Sequence, residues 1–135
     1  MQITVGPAAY QISEAEYAAH FDAKGKTNNL TPEQIFSKYN VKDMSQKDYS
    51  HMMQDLWSSS DPESGYIGFG MTCDEIANHY VDEQNGVTES PTQRYNLLSS
   101  TEDSYKKEIS GGGAAANYYL KLCQYLSQAG GQMAG

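Results

Sequence analysis

Four copies of one helix-start pattern constrain this 135-residue chain more than any other feature of its sequence. In each copy a Ser or Thr stands three residues before Glu, Gln or Asp, an arrangement in which the side chain caps free backbone N–H groups. The residue before the cap and the fourth residue after it are both apolar, and they pack together as a hydrophobic staple. The copies occupy residues 12–17, 30–35, 44–49 and 71–76, and a fifth box without the staple begins at Ser90. Each copy predicts the start of a helix.

Glycines after these segments set the predicted helix ends. Gly25, Gly86 and the glycine run at 111–113 stand where helices commonly stop. The sequence therefore predicts helices over 14–23, 32–40, 46–58, 73–84, 91–109 and 114–128. The last two are expected to form an antiparallel hairpin about the glycines. A further capping box at Ser99 leaves open whether 91–109 is one helix or two.

Extended structure is expected at only two places, residues 3–5 and 66–69, where apolar residues precede the first helix or alternate with glycines. These two strands could pair. The predicted fold class is all-α or nearly so: a compact bundle of five to six short capped helices with at most this minimal two-stranded pairing. Residues 1–128 form the single predicted domain, and residues 129–135 form a flexible Gly-rich tail.

The core must draw on unusual residues, because Leu, Ile, Val and Phe together number only 20 while the chain has eleven Tyr and six Met. Tyr, Met and Ala are therefore expected inside. Tyr49 and Leu56 share one helical face with Met52, Met53 and Trp57, which indicates a central core helix. If that face is instead exposed, Met52, Met53 and Trp57 form the candidate interaction surface.

The net charge of −8 is concentrated in the middle of the chain, where residues 48–103 carry −10 and include the only arginine, Arg94. Such acidity argues against nucleic acid as a partner. No apolar run reaches the ~18 residues that span a bilayer, so the sequence predicts a cytoplasmic protein without a membrane partner. The acidic segment either keeps the surface solvated or attracts a basic protein.

Residues 13–84 repeat a helix-loop-helix arrangement that resembles a degenerate paired EF-hand domain. Asp22 and Glu33 stand at positions 1 and 12 of the first loop, and Gly65 and Ile67 stand at positions 6 and 8 of the second. The resemblance implies two units docked through short strands in their loops, each built around a divalent cation.

Several loop residues depart from that pattern. Lys24 and Lys26 place ammonium groups at positions 3 and 5 of the first loop, and Met71 replaces the acid at position 12 of the second. Calcium needs six to eight oxygen ligands. We therefore expect no binding at signalling concentrations, and this reading predicts a weak or vestigial divalent-cation-binding module.

A third reading is an enzyme of unknown type that uses Cys73 and His79. Glu75 and His79 are one helical turn apart and, with Cys73 nearby, could ligate a metal, although no second ligand pair accompanies them. Both this thiol and Cys123 are expected to be reduced. Because no catalytic or cofactor motif occurs, the leading hypothesis is a small acidic, bacterial-type adaptor or regulatory protein that binds another protein without catalysis, cofactor or metal. The partner and the oligomeric state stay open.

Overall fold

Six α-helices account for most of the residues that the computed structural model describes, which are 13–86, 92–111 and 115–134. Within these residues, extended pairing is limited to two isolated bridges, Asn28–Ser59 and Met44–Tyr95. The prediction of an all-α bundle is confirmed. The helices are α1 (Glu14–Ala19), α2 (Pro32–Phe36), α3 (Gln46–Trp57), α4 (Pro62–Gln84), α5 (Leu97–Gly111) and α6 (Ala116–Ala134).

Three of the four capped helix starts are confirmed. The Ser13 hydroxyl accepts from the Glu16 N–H at 3.1 Å, and the Ser45 hydroxyl accepts from the Asp48 N–H at 3.1 Å. Thr31 forms a complete capping box, because the Gln34 side chain also accepts from the Thr31 N–H at 3.0 Å. The corresponding helices end one to four residues before their predicted ends.

The fourth start, at Thr72, is wrong. Helix α4 begins ten residues earlier, at Pro62, and the predicted strand 66–69 lies within it. Asp61 directly before Pro62 at the first helical position is itself a start signal, since proline loses no hydrogen bond there. The other predicted strand, residues 3–5, lies outside the described residues.

The sequence pattern predicts a strand at 66–69 because glycines surround it, but these glycines lie inside α4. Each of them lies where a neighbouring part of the fold approaches α4 closely. A Cβ on Gly65 would lie 2.9 Å from both Phe21 Cε2 and Tyr17 Oη, and one on Gly68 would lie 3.0 Å from Leu56 Cβ. A Cβ on Gly70 would overlap the ring of Tyr118. Glycine weakens a helix by about 1 kcal/mol relative to alanine, and this close packing offsets that cost.

The last two helices also differ from their predicted bounds. Helix α5 begins at Leu97, where the Asn96 side chain accepts from the Ser99 N–H at 2.9 Å, so the box at Ser90 does not start it. It then runs without a break to Gly111, so the box at Ser99 does not begin a second helix, and the Thr101 hydroxyl donates to the Leu97 carbonyl one turn earlier. Helix α6 packs against α5, as predicted, and continues to Ala134. The flexibility of residues 129–135 stays a prediction about dynamics.

The buried interior joins residues from every helix except α1. Methionine, tyrosine and alanine supply half of it, as the composition predicts. The buried apolar side chains are Ile35, Phe36, Val41, Met44, Met52, Leu56, Tyr66, Ile67, Met71, Leu97, Ala115, Tyr118, Tyr119, Leu122, Leu126 and Ala129.

Candidate binding groove

A groove of about 340 Å³ opens between α3, α4, α5 and α6. Met71, Leu97 and Leu122, all buried, form an apolar floor, and polar side chains surround it. This volume lies at the lower end of the roughly 300–1,000 Å³ range of ligand pockets. The groove is lined by Gln46, Tyr49, Ser50, Met71, Asp74, Glu75, Tyr95, Leu97, Ser100, Thr101, Ser104, Tyr119 and Leu122.

One wall of the groove is built by a long-range backbone clamp. Met44 and Tyr95 exchange two backbone hydrogen bonds of 2.8 and 2.9 Å, and the Leu97 N–H donates to the Val41 carbonyl at 2.8 Å. The clamp holds Tyr95 against Tyr49 of α3, with ring centroids 5.3 Å apart and an interplanar angle of 30°. Two stacked aromatic rings therefore form this wall.

A second wall of the groove is acidic. Asp74 and Glu75 project from α4, and the hydroxyl of Tyr119 donates to both Asp74 oxygens at 2.9 and 3.1 Å. Neither residue lies near a helix start, because α4 begins at Pro62. Among the described residues that line the groove, two are carboxylates and none is a lysine or arginine.

Tyr118 fixes the spacing of α4 and α6 beneath this wall. Its hydroxyl donates to the Ile67 carbonyl at 2.8 Å, and its ring edge meets Tyr66 and Tyr119. Burial raises the pKa of Tyr118 well above its usual value, and the Asp74 carboxylate adds to the shift. The hydroxyl therefore stays protonated and keeps its donor role.

The candidate interaction surface predicted from the sequence does not form one exposed patch. Met52 is completely buried in the core, and Met53 is partly buried against it. Trp57 is 40% exposed, and its Nε1–H donates to Thr72 Oγ1 at 2.9 Å. Met52 therefore belongs to the core, whereas the indole of Trp57 and part of Met53 remain at the surface.

The two cysteines have environments that oppose thiolate chemistry. Burial raises the pKa of the Cys73 thiol, and the Asp74 carboxylate raises it further. Burial also raises the pKa of Cys123, with Glu102 adding to the effect. Nucleophiles and zinc ligands need the thiolate. The side chain of His79 lies outside the described part of the structure, and no group of three metal-capable side chains occurs in the part that is described.

Within residues 13–84, which resemble an EF-hand pair, the loop of the first helix-loop-helix unit contacts the start of the second unit's loop. Asn28 bridges Ser59, and the Thr27 N–H donates to the Ser58 carbonyl at 2.9 Å. Lys26 Nζ donates to the Trp57 carbonyl at 2.6 Å. From Pro62 onward the second loop of that pattern is part of α4. Membership in that family stays a prediction.

Comparisons with known proteins add no assignment, because no family model, curated protein or solved structure matches this chain. Among the described helices, none combines the length and apolar character needed to cross a membrane.

Only indirect signals for the groove are present in the sequence. The tyrosine surplus and the acidity of residues 48–103 both contribute to it, through Tyr49, Tyr95, Asp74 and Glu75. What joins them is the Met44–Tyr95 bridge, which connects residues 51 positions apart. Local periodicity carries no information on such a contact.

Proposed function

We propose that this chain is a non-catalytic binding protein that acts through protein contacts, and that the groove receives a basic segment of its partner. The observation that carries this proposal is the composition of the groove. Asp74 and Glu75 line the same groove as the Tyr49–Tyr95 pair and the apolar floor, and the described lining has no cation. A basic side chain has matching chemistry, because its aliphatic stem can lie on the floor while its charged end meets carboxylates and aromatic rings.

The charge distribution supports the same partner. Residues 48–103 carry −10 and supply most of the groove lining. A region of one sign attracts oppositely charged partners during encounter and disfavours partners of like sign. A basic segment is therefore favoured both on approach and in the bound state.

Amide chemical shifts during peptide titration test the proposal. Two peptides of equal length are used, one with alternating Lys and Arg, and one with Gln at the same positions. We expect the basic peptide to shift amides of residues 46–50, 71–75, 95–104 and 119–122, while those of α1 and α2 stay in place. Shifts of equal size with the Gln peptide, or shifts confined to other surfaces, would contradict the proposal.

A further inference from the structure

We infer that the groove is an arginine site: it holds the side chain of one arginine from the partner segment, stacked on the tyrosine wall and hydrogen-bonded at the acidic wall. This inference rests on the proposed function, because it names the residue through which the basic segment would be anchored. Two features of the groove favour arginine over lysine, and a third accommodates the stem of either side chain.

The first feature is the aromatic wall. Tyr49 and Tyr95 lie with ring centroids 5.3 Å apart and both contribute to the groove lining. A planar guanidinium stacks on an aromatic face and is less strongly hydrated than an ammonium, so it loses less on entering such a site. Lysine carries a compact, strongly hydrated charge that has no matching plane.

The second feature is the number and spread of oxygen acceptors. Asp74 and Glu75 lie on α4, and the hydroxyls of Ser100 and Ser104 lie on α5, so acceptors border the groove on two sides. A guanidinium has five donors in a fixed fork and can bind a carboxylate with two parallel hydrogen bonds. An ammonium has its three donors at a single point and therefore spans a shorter distance between acceptors.

The third feature is the depth of apolar surface below the acids. The buried side chains of Met71, Leu97 and Leu122 form a floor for the methylene groups of one long side chain. The volume of about 340 Å³ is adequate for a single large side chain with a few waters. Arginine is also enriched in protein interfaces, where lysine is depleted.

Three pentapeptides distinguish the anchor. Each has the form acetyl-Gly-Ser-Xaa-Ser-Gly-amide, with arginine, lysine or citrulline at the central position; citrulline keeps the shape of arginine but is neutral. Titration followed by amide chemical shifts gives a dissociation constant for each. We expect arginine to bind at least about fivefold tighter than lysine, and citrulline to give no groove shifts at equal concentration.

The outcomes separate this inference from the function on which it rests. Equal binding of the arginine and lysine peptides would overturn the arginine site and leave the basic-segment proposal standing. Groove shifts from neither peptide, with none from the longer basic peptide, would overturn both. Binding of citrulline as tight as arginine would overturn both as well, because recognition would then not depend on charge.

A pair of charge-matched variants locates the site. Glu75→Gln removes a carboxylate from the groove and should weaken arginine-peptide binding by about tenfold. Asp103→Asn removes the same charge from the exposed face of α5, outside the groove lining, and should change binding by less than about twofold. Equal effects of the two variants would show general charge attraction and would overturn the assignment.

Discussion

At the scale of single residues, the closest approach to any of the described glycines lies where Gly70 of α4 meets Tyr118 of α6. A Cβ on Gly70 would overlap the phenol ring, which is held in place by the hydrogen bond from its hydroxyl to the Ile67 carbonyl. Because Tyr118 is buried and contacts Tyr66 and Tyr119, its ring cannot move aside without disturbing them. The smallest side chain therefore determines how near these two helices lie.

The first prediction is that Gly70→Ala destabilises the protein by about 1–3 kcal/mol, since overpacking outweighs the gain of about 1 kcal/mol in helix propensity. Urea unfolding followed by circular dichroism measures the change. Gly111→Ala is the control, because Gly111 ends α5 and a Cβ there would meet nothing within 4 Å. The control should lose no stability, and an equal loss in both variants would refute the packing argument.

Trp57 supports a second residue-scale prediction. Its indole is 40% exposed, and its orientation is fixed by the 2.9 Å hydrogen bond from Nε1 to the Thr72 hydroxyl. Thr72→Val removes the acceptor while keeping the shape of the side chain. We expect acrylamide to quench the wild-type indole, quenching to increase in the variant, and stability to fall by about 0.5–1 kcal/mol. A blue-shifted indole protected from quencher in the wild type would contradict the exposed position.

At the scale of elements, α1 is the helix with the weakest attachment, because none of its residues is buried. Its main anchors are the Tyr17 ring, which contacts Tyr66 and Phe69, and an ion pair across helices. In that pair Lys121 of α6 bonds Glu14 of α1 at 2.8 Å and also contacts Glu63 of α4. One lysine thus connects three helices.

The third prediction concerns this connection and its dependence on pH. Burial acts to raise the pKa of Glu63, but hydrogen bonds from Lys121 and Tyr125 outweigh it and hold the pKa below its usual value. A carboxyl whose folded-state pKa is lowered stabilises the fold above its unfolded pKa of about 4.3 and loses that effect as pH falls through the folded value. Glu63→Gln should therefore cost about 1–2 kcal/mol at neutral pH.

The same variant should approach wild-type stability as pH falls through the lowered folded-state pKa of Glu63, because both side chains are then uncharged. Urea unfolding at neutral and acidic pH measures the two differences. Glu102→Gln on the exposed face of α5 is the matched control and should change stability by less than about 0.5 kcal/mol at either pH. A Glu63→Gln deficit that is independent of pH would show that packing, and not the ion pair, is responsible.

The element scale also shows which features of the fold were predictable. Ser13, Thr31 and Ser45 are predicted caps because their side chains act on backbone three residues away, and a local pattern is enough to find them. Thr72 carries the same pattern, but its hydroxyl instead accepts from Trp57, and α4 continues through it. Only the approach of neighbouring helices distinguishes the two cases.

At the scale of the whole molecule, the acidic segment acts on stability and on binding in opposite directions. Residues 48–103 carry −10, and crowding these charges into one fold creates repulsion. Two ion pairs, Lys38–Asp55 and Arg94–Asp43, are partly or largely exposed, so water and salt screen them and they offset little of this repulsion. Lys121 contacts a third acid, Glu63. Repulsion among the acids should therefore destabilise the fold by more than these ion pairs stabilise it. The same field would favour a basic partner.

The fourth prediction follows from these opposed effects. Raising NaCl from about 0.01 M to about 0.1 M shortens the Debye length from about 30 Å to about 10 Å, so repulsion across the fold is screened. The melting temperature should rise by about 3–5 °C, which corresponds to about 1 kcal/mol in a domain of this size. Over the same range the basic peptide should bind several-fold more weakly, since its attraction is screened as well. Calorimetry and peptide titration in the same buffers measure both.

Two results would contradict this prediction. A melting temperature that falls with salt would show that the ion pairs dominate the electrostatics of folding. An affinity that does not depend on salt would show that the groove binds the peptide through apolar contact alone.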